Sequence, residues 1–487
     1  MHVRRISLIA GLLAVLLGLL LAGVPDHASP TLSAPPPSAS AEHAPPPPVP
    51  APREVPAPAL AKSPSLVRDG RIAPPSPRQL ASFHKRLAEL GAGRIRRVTI
   101  VQIGDSHTQA EHFPGRLRAL LQARFGDGGR GMLPPGQPYD YWKPYRVQAK
   151  QTGDWKVFTS NKSDYAPLPY GLSGFVIRSA DPGAAIVLEA REDSAPFAVV
   201  EVGYYRNPFG GTIDLSVDGT SVGAIDTRGP GHAWERRSFT LPAPGRHVEL
   251  RPHGDGSIDL ADWAVYSRSR GIVLASFGFS GAQVGIMERW DWSTVKTQLA
   301  ALDPALILLA FGTNEGYAPR SRLRHYEARL EERISALREA APNASVVLVS
   351  GPDANRIPKY CNGDGKADGK SSNSKSKGHG ADGDTCRPLS EAEAASYDTS
   401  LAISDRTLCR WHTPASYELV RKAQKNVAER TGVYFWDWFQ LQGGSCGAHR
   451  WEQAGLVLGD RVHLKREGYW HSADHLYAAL MRGFKGR

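Results

Sequence analysis

The chain has only four cysteines among its 487 residues, and they form no CxxC motif. This absence argues against a cysteine zinc site, because such sites are usually built from closely spaced cysteine pairs. Lysines and arginines are scattered and form no nucleic-acid-binding motif, so no nucleic acid partner is predicted. The formal net charge of +11 nevertheless favours polyanionic neighbours, such as wall polymers or anionic lipid headgroups.

A long apolar run, Ile6 to Val24, follows Arg4 and Arg5 near the N-terminus. Positive charge before an apolar segment is typical of an export signal, and this run is long enough to cross a bilayer as a helix. No cysteine follows it, so lipoprotein processing is not expected. Residues 1–24 are predicted to be a signal peptide or an N-terminal membrane anchor. The rest of the chain is expected outside the cytoplasm, in the periplasm or at the cell surface, and a retained anchor would make the membrane a partner.

All four cysteines lie in the C-terminal third of the chain. An even number of cysteines in an exported protein predicts two disulfides. Four cysteines permit three pairings. One of them joins Cys361 with Cys386 across the segment between them, which leaves Cys409 with Cys446.

Two segments have compositions that do not support a folded core. Residues 25–80 are rich in proline, alanine and serine, and we predict a disordered linker in an extended, polyproline-like form. Residues 361–386 are dominated by glycine, serine, lysine and aspartate and are predicted to be a flexible loop. The start of that loop partly matches a calcium-binding loop, but Tyr360 and Ser371 stand where carboxylates are required. No metal site is therefore predicted.

The remaining sequence indicates an α/β fold in two parts, residues 81–149 and 269–487. Leu80, Phe83, Leu87 and Leu90 have helical spacing, and a second helical pattern begins at Leu323. Strands that alternate with helices imply a parallel sheet covered on both faces. We predict an α/β three-layer sandwich with a five-stranded parallel sheet, and the five apolar runs taken as strands are Arg97–Ile103, Ile272–Phe277, Ala305–Phe311, Ser345–Val349 and Val433–Trp436.

The first two predicted strands are separated by about 165 residues, far more than an ordinary crossover connection requires. Residues 150–268 within this gap contain short alternating runs and turn signals that are typical of β-strands. We predict an inserted all-β domain of the jelly-roll type. Trp155, Trp234 and Trp263 are either sugar-stacking platforms or core residues, and the core interpretation is favoured because large aromatics usually dominate small sandwich cores.

A candidate nucleophile follows the first predicted strand, in the sequence Gly104-Asp105-Ser106-His107-Thr108. A serine on a tight turn after a parallel strand exposes its hydroxyl at the carboxyl edge of the sheet, where α/β proteins bind ligands. A following helix would direct the backbone N–H of Ser106 toward a developing oxyanion. The alternative for this pentapeptide alone is a serine helix cap.

Three further blocks follow in order. Gly278–Gln283 comes after the second strand, Phe311–Glu315 after the third, and Gly459–Leu464 precedes a C-terminal helical pattern. Together with the Ser106 block they resemble the SGNH (GDSL-like) hydrolase family, which is named for serine, glycine, asparagine and histidine. The resemblance covers residues 98–135 and 270–485.

The resemblance implies a role for each motif residue. Ser106 would be the nucleophile, His463 the general base, and Asp460 the acid that orients the imidazole. The backbone N–H groups of Ser106 and Gly281 and the side-chain amide of Asn314 would form the oxyanion hole. No metal and no cofactor are required by this chemistry.

Two other acids compete for the orienting role. Asp437 follows the last predicted strand, and we interpret it as a helix cap or structural acid. Asp105 is expected to bind local backbone N–H groups, and His107 is expected to support the turn.

Within the family, the chain is most similar to exported bacterial peptidoglycan O-acetylesterases. The resemblance implies a serine esterase that removes O-acetyl groups from peptidoglycan or another envelope polysaccharide, so an acetylated glycan is the expected partner. One alternative is a polysaccharide O-acetyltransferase that uses the same triad. Others are a non-catalytic glycan-binding envelope protein, or a lipase or thioesterase, because one fold hosts many ester chemistries.

Overall fold

The computed structural model describes residues 69–140, 142–162, 165–362 and 385–486, all within one compact unit, residues 52–487. The predicted signal or anchor at residues 1–24, most of the predicted linker, and residues 363–384 of the predicted loop lie outside the described residues. Within the described part, no helix combines the length and the apolar character needed to cross a membrane.

Helices alternate with strands on both sides of an uninterrupted series of strands between residues 129 and 278. The strands are β1 (Arg97–Gly104), β2 (Gly129–Leu133), β3 (Val147–Thr152), β4 (Lys156–Thr159), β5 (Phe175–Ser179), β6 (Ala185–Ala190), β7 (Phe197–Arg206), β8 (Thr212–Val217), β9 (Thr220–Asp226), β10 (Ala233–Gly245), β11 (His247–Pro252), β12 (Ile258–Tyr266), β13 (Gly271–Gly278), β14 (Pro304–Ala310), β15 (Ser345–Val349) and β16 (Tyr434–Trp436). The helices are α1 (Ala81–Gly91), α2 (Ser106–Gln109), α3 (His112–Phe125), α4 (Trp292–Leu302), α5 (Thr313–Gly316), α6 (Tyr326–Ala340), α7 (Glu391–Ala402), α8 (Ser416–Thr431), α9 (Trp438–Leu441), α10 (Gly447–Gln453) and α11 (Arg466–Met481).

Five of these strands form one parallel sheet in the order β13-β1-β14-β15-β16. Their apolar side chains are buried on both faces, as expected when helices cover both sides of a parallel sheet. Helices α1, α3 and α11 cover one face, with Phe83 and Leu117 in the shared core. Helices α4, α6 and α8 cover the other, with Leu299 and Leu330 in its core. The predicted α/β three-layer sandwich with a five-stranded parallel sheet is confirmed.

The segment from β2 to β12 forms two antiparallel sheets. One has the order β10-β7-β12-β5-β4, with β2 also paired to β12, and the other has the order β3-β6-β11-β8-β9. Their facing sides share a core that includes Ile177 and Val202 from the first sheet and Leu215 and Leu250 from the second. The predicted inserted all-β domain is confirmed as a two-sheet sandwich.

Strand β2 belongs to the sandwich although it precedes residue 150, where the sequence analysis began the insert. It pairs with β12, with Leu133 opposite Trp263. Two of its five residues, Gly129 and Gly131, are glycines with positive φ, and glycine weakens the sequence signal of a strand. The remaining domain limits stay predictions.

Strand β12 joins the sandwich to the α/β part, because every one of its residues is buried. Alternate side chains of a strand point to opposite faces. Trp263 and Val265 belong to the sandwich core, whereas Ala264 and Tyr266 belong to the core beneath the parallel sheet. The sandwich therefore packs directly on the α/β part.

The tryptophans of the insert serve its packing. Trp155 and Trp263 are 8% and 1% exposed and lie in the sandwich core, so the core interpretation is confirmed for both. Trp234 is half-buried and its indole N–H donates to Asp262 at 2.9 Å. None of the three forms an open platform for a sugar.

The helix predicted from Leu323 begins later than its apolar pattern. A short 3₁₀ turn spans Arg320–Leu323, and α6 begins at Tyr326. Leu323 still packs against the same core as Leu330, which explains why it fits the helical spacing without being part of the helix.

Two disulfides join Cys361 to Cys409 and Cys386 to Cys446. The pairing of Cys361 with Cys386 weighed in the sequence analysis is therefore wrong. Cys386 and Cys446 are held close together in the fold. Cys386 forms a β-bridge with Trp411, and the Cys446 N–H donates to Thr413 Oγ1. Two disulfides are typical of proteins that fold outside the reducing cytoplasm.

Candidate active site

The carboxyl ends of β1, β13 and β14 meet at one edge of the parallel sheet. The Phe279 N–H donates to Gly104 O at 2.9 Å, and the Asp105 N–H donates to Ala310 O at 3.2 Å. The sequence blocks that follow these three strands are therefore brought side by side. Parallel sheets bind ligands at this edge because the loops leaving neighbouring strands converge there.

Ser106 is the first residue of the short helix α2, directly after β1. Asp105 caps this helix, and its carboxylate accepts the His107 N–H at 3.0 Å. A Cβ at residue 104 would collide with Ala310 O and Thr108 Oγ1, so a glycine is needed there for these atoms to approach the backbone closely. The expected role of Asp105 as an acceptor for local backbone N–H groups is confirmed.

His463 lies next to Ser106 although 357 residues separate them in the chain. Its Nε2 is 3.1 Å from Ser106 Oγ, and its Nδ1 is 2.7 Å from Asp460 Oδ2. Carboxylate, imidazole and hydroxyl thus form a continuous hydrogen-bonded chain. This order of groups is that of a serine nucleophile, its general base and the acid that orients the base.

The turn that carries His463 is stabilised by hydrogen bonds from its backbone N–H groups to the Asp460 carboxylate. Asp460 Oδ1 accepts the N–H groups of Val462 and His463 at 3.0 Å each, which places the other carboxylate oxygen opposite the imidazole. Arg461 has a φ of 52° and its buried guanidinium lies 4.2 Å from the centre of the Trp411 ring. The spacing of three residues between acid and base is therefore realised in one rigid turn.

Asp460 and His463 shift each other's pKa values. The hydrogen bond to the Asp460 carboxylate raises the pKa of His463 above its ordinary value, and burial opposes this only in part. Burial raises the pKa of Asp460, but the hydrogen bonds from His463 and the neighbouring backbone outweigh it, so the net shift is downward. Asp460 is therefore ionised, and the imidazole is a stronger base than a free histidine.

The other two motif residues lie on the loops after β13 and β14. Gly281 has a φ of +72°, a conformation that a side chain would strain. The Asn314 side-chain amide donates to Ala282 O at 2.9 Å, which ties the two loops together. Among the described residues this amide nitrogen has one acceptor, and its second N–H is available for a substrate oxygen.

Aromatic side chains form the wall behind His463. His107 is 3% exposed, and its ring centre is 5.5 Å from that of His463 and 5.6 Å from that of Trp438. Its Nδ1 is 2.9 Å from the Tyr469 hydroxyl on α11. Burial lowers the pKa of His107 to about 3, so this ring stays neutral next to His463. Its expected role in supporting the turn is confirmed.

A buried acid at this edge was not singled out from the sequence. Glu315 is 2% exposed, and its carboxylate accepts the Val284 N–H at 2.7 Å, which fixes the loop that carries Gly281. Burial raises the pKa of Glu315 to about 7 and that of Asp105 to about 6. The position of Glu315 directly after Asn314 is the signal that could have identified it.

Asp437 does not contact His463 among the described residues and instead binds the start of α9 and Arg421. It caps α9 by accepting the Gln440 N–H at 3.1 Å, and it binds the Arg421 guanidinium at 2.7 Å. Its interpretation as a helix cap and structural acid is confirmed.

The β sandwich reaches the same edge of the sheet. The Asn161 side-chain amide donates to Ser280 O at 2.8 Å, next to Gly281. Arg289 donates to Ser160 O at 2.7 Å, and its guanidinium lies 4.8 Å from the centre of the Tyr165 ring. A loop of the insert therefore contacts the loop that carries Gly281.

A buried ion cluster connects the start of α3 to the sandwich. Glu111 is 3% exposed and binds Arg130 of β2 at 3.0 Å and Arg118 of α3 at 3.4 Å. Its carboxylate also accepts the Tyr145 N–H at 3.3 Å. Glu111 follows Ser106 by five residues, so this cluster fixes the nucleophile turn relative to the insert.

Comparison with known proteins gives a family match over part of the chain and a similar fold. Residues 254–471 match the GDSL-like lipase/acylhydrolase family. A solved structure of a peptidoglycan O-acetylesterase has a TM-score of 0.63 and 22% identity, over 86% of this chain and 99% of that chain. No curated protein matches the sequence.

Two other solved structures superpose more poorly. An active-site mutant of a family two carbohydrate esterase from Clostridium thermocellum has a TM-score of 0.25 and 12% identity, over 68% of this chain and 99% of that chain. The salicylyl-acyltransferase SsfX3 has a TM-score of 0.24 and 14% identity, over 73% of this chain and 98% of that chain. Only the first of the three structures supports the fold seen here.

Proposed function

We propose that the chain is a serine esterase of the GDSL-like acylhydrolase type that removes O-acetyl groups from peptidoglycan or another envelope polysaccharide. The observation that carries the proposal is the hydrogen-bonded chain from Asp460 through His463 to the Ser106 hydroxyl, with distances of 2.7 and 3.1 Å.

In the proposed reaction, Ser106 Oγ attacks the acetyl carbonyl carbon while His463 Nε2 takes the hydroxyl proton. The bond between the acetyl carbon and the sugar oxygen then breaks, and His463 returns the proton to that oxygen. A water molecule, which gives its proton to His463, then attacks the acetyl carbon of the acetyl-serine. The bond from that carbon to Ser106 Oγ breaks, His463 returns the proton to Oγ, and acetate is released. Asp460 stays ionised throughout and stabilises the imidazolium.

The developing oxyanion would be bound by N–H groups on the three loops that meet at the sheet edge. Those of Ser106 and Gly281 come from the backbone, and Asn314 supplies a side-chain amide. Donors held in place before the reaction stabilise the transition state without a cost of reorganisation. The bond from Asn314 to Ala282 O supplies that rigidity.

Replacing Asn314 with alanine is expected to lower kcat for acetyl ester hydrolysis by about 10²–10³-fold, because one oxyanion donor is lost. KM should change little, since the donor acts mainly on the transition state. Steady-state kinetics with an O-acetylated glycan fragment measure both values. An unchanged kcat would remove Asn314 from the oxyanion hole.

The value of kcat/KM is expected to fall as the pH is lowered, and this fall should be centred above pH 6.5. His463 accepts a proton only when it is neutral, and its pKa is raised above that value by the Asp460 hydrogen bond. The rate constant kcat/KM should therefore rise with pH through the raised pKa and fall as the pH is lowered below it. If the fall of kcat/KM in the wild type were centred below pH 6, the assignment of His463 as the base would be contradicted.

The surroundings of the site suit a polymeric substrate. The His463 and Asp460 side chains are 42% and 47% exposed, so the candidate triad lies at the surface rather than at the end of a closed pocket. The nearby insert loop at Asn161 offers a second surface against which a glycan strand could lie. The fold shared with a peptidoglycan O-acetylesterase supports the same substrate class.

The test is acetate release from O-acetylated peptidoglycan by the wild type and by Ser106→Ala. Release by the wild type alone supports the proposal. A parallel reaction with an acetyl donor and a de-acetylated glycan acceptor measures acetyl gain. Gain of acetyl groups without release would instead support the alternative of an O-acetyltransferase.

A further inference from the structure

A second group of polar side chains lies on helix α11, beyond the candidate triad. His471 and His475 are one helical turn apart, so their rings lie on the same face of the helix. Asp69, the first residue that the structure describes, meets both of them. The ligand atoms of the three side chains all lie within 4.8 Å of one another.

The three side chains converge through the atoms that bind metals. His471 Nε2 is 2.9 Å from one carboxylate oxygen of Asp69 and 3.0 Å from the other. His475 Nε2 is 3.1 Å from Asp69 Oδ2. The two imidazole ring centres are 4.7 Å apart.

We propose that Asp69, His471 and His475 bind one Zn²⁺ ion. Two imidazole nitrogens and one carboxylate oxygen are a common ligand set for this ion. Tetrahedral ligands at about 2.0–2.1 Å from zinc lie roughly 3.3 Å from one another, so small shifts of the side chains would make room for the ion. Water would complete the coordination.

The burial of the ligands fits a metal site at the surface. The His471 side chain is 6% exposed and its ring packs against Trp451, with ring centres 5.4 Å apart. The Asp69 and His475 side chains are 26% and 39% exposed. One ligand is therefore fixed in the core, while the other two are partly open to solvent, and His475 also borders a groove of about 400 Å³.

The site would attach the start of the described chain to the catalytic domain. The Gly70 N–H donates to Leu441 O at 3.0 Å, and the Tyr434 hydroxyl donates to Ala73 O at 3.0 Å. Residues 70–73 therefore already run along β16 and α9. A zinc ion between Asp69 and α11 would strengthen this attachment, which lies within the predicted linker of residues 25–80.

Zinc binding to the full-length protein tests the proposal independently of esterase activity. After equilibrium dialysis against Zn²⁺, elemental analysis is expected to show one more bound ion per chain in the wild type than in Asp69→Asn or His475→Ala. Both substituted side chains are partly exposed, so the fold should be kept, which circular dichroism checks. His232→Ala, at an exposed histidine outside the group, is the matched control and should bind as the wild type does.

Trypsin cleavage after Arg71 gives a second measurement. Cleavage requires the segment to leave the domain, so Zn²⁺ at ten times its Kd should slow it by about tenfold in the wild type. No slowing is expected in His475→Ala. Equal zinc content in all four proteins, or equal cleavage with and without Zn²⁺ in the wild type, would overturn the metal site and leave only a hydrogen-bonded contact.

Discussion

Replacing Ser106 with alanine is expected to reduce kcat for acetyl ester hydrolysis by on the order of 10⁴–10⁶-fold. The hydroxyl 3.1 Å from His463 Nε2 is then absent, so no acyl-enzyme can form. His463→Ala should lose a similar factor, because the proton of Ser106 then has no acceptor. The measurement is acetate release under saturating substrate, with thermal denaturation to verify folding.

The two losses should not add. A nucleophile and its base act as one unit, so the double variant should be about as slow as either single variant. Ser280→Ala is a suitable control, because Ser280 is an exposed serine on the neighbouring loop and its contact with Asn161 uses the backbone oxygen. A Ser106→Ala protein with more than a tenth of the wild-type rate would refute the assignment of the nucleophile.

Asp460→Asn is expected to lower kcat by about 10²–10⁴-fold while the fold is retained. The amide cannot stabilise the imidazolium as a carboxylate does, and it permits the wrong tautomer of His463. Losing the carboxylate also removes the main cause of the raised pKa of His463, so the acid limb of kcat/KM should move to lower pH. A pH profile of the variant measures this shift, which a purely structural role of Asp460 would not produce.

The matched comparison is Asp437→Asn, because Asp437 was a competing candidate for the acid that orients His463. It binds Arg421 and caps α9, so its replacement should cost about 1 kcal/mol or more of folding stability. The rate per folded molecule should stay close to that of the wild type. If Asp437→Asn were inactive and Asp460→Asn fully active, the two assignments would have to be exchanged.

The five strands of the parallel sheet could be predicted because each is a continuous apolar run. A strand buried on both faces needs such a run, and few other structures in a folded domain require one. Strand β2 could not be predicted, because its glycines at 129 and 131 carry no strand signal and its place is set by pairing with β12. The pairing of Cys386 with Cys446 likewise depends on which loops fold together.

In the candidate site, too, some features could be predicted from the sequence and others could not. The order of four motif blocks pointed to Ser106 and His463, and the three-residue spacing pointed to Asp460. The contact between His107 and Tyr469 has no such pattern, since it depends on the packing of residues distant in sequence. The buried carboxylate of Glu315 is marked only by its position directly after Asn314. The Asp69 contact with His471 spans 402 positions, so no local pattern in the sequence shows that a third side chain meets His471 and His475.

Local sequence by itself determined the apolar strands, the helix on which Ser106 stands, and the turn that sets Asp460 against His463, because neighbouring residues and backbone geometry suffice for these features. Only the tertiary structure decided which loops meet at the sheet edge, how the sandwich borders the site through Asn161, and which cysteines pair. Each of these outcomes depends on contacts between residues that are distant in the chain. No short segment of the chain contains that information, because the partners come together only when the whole fold closes.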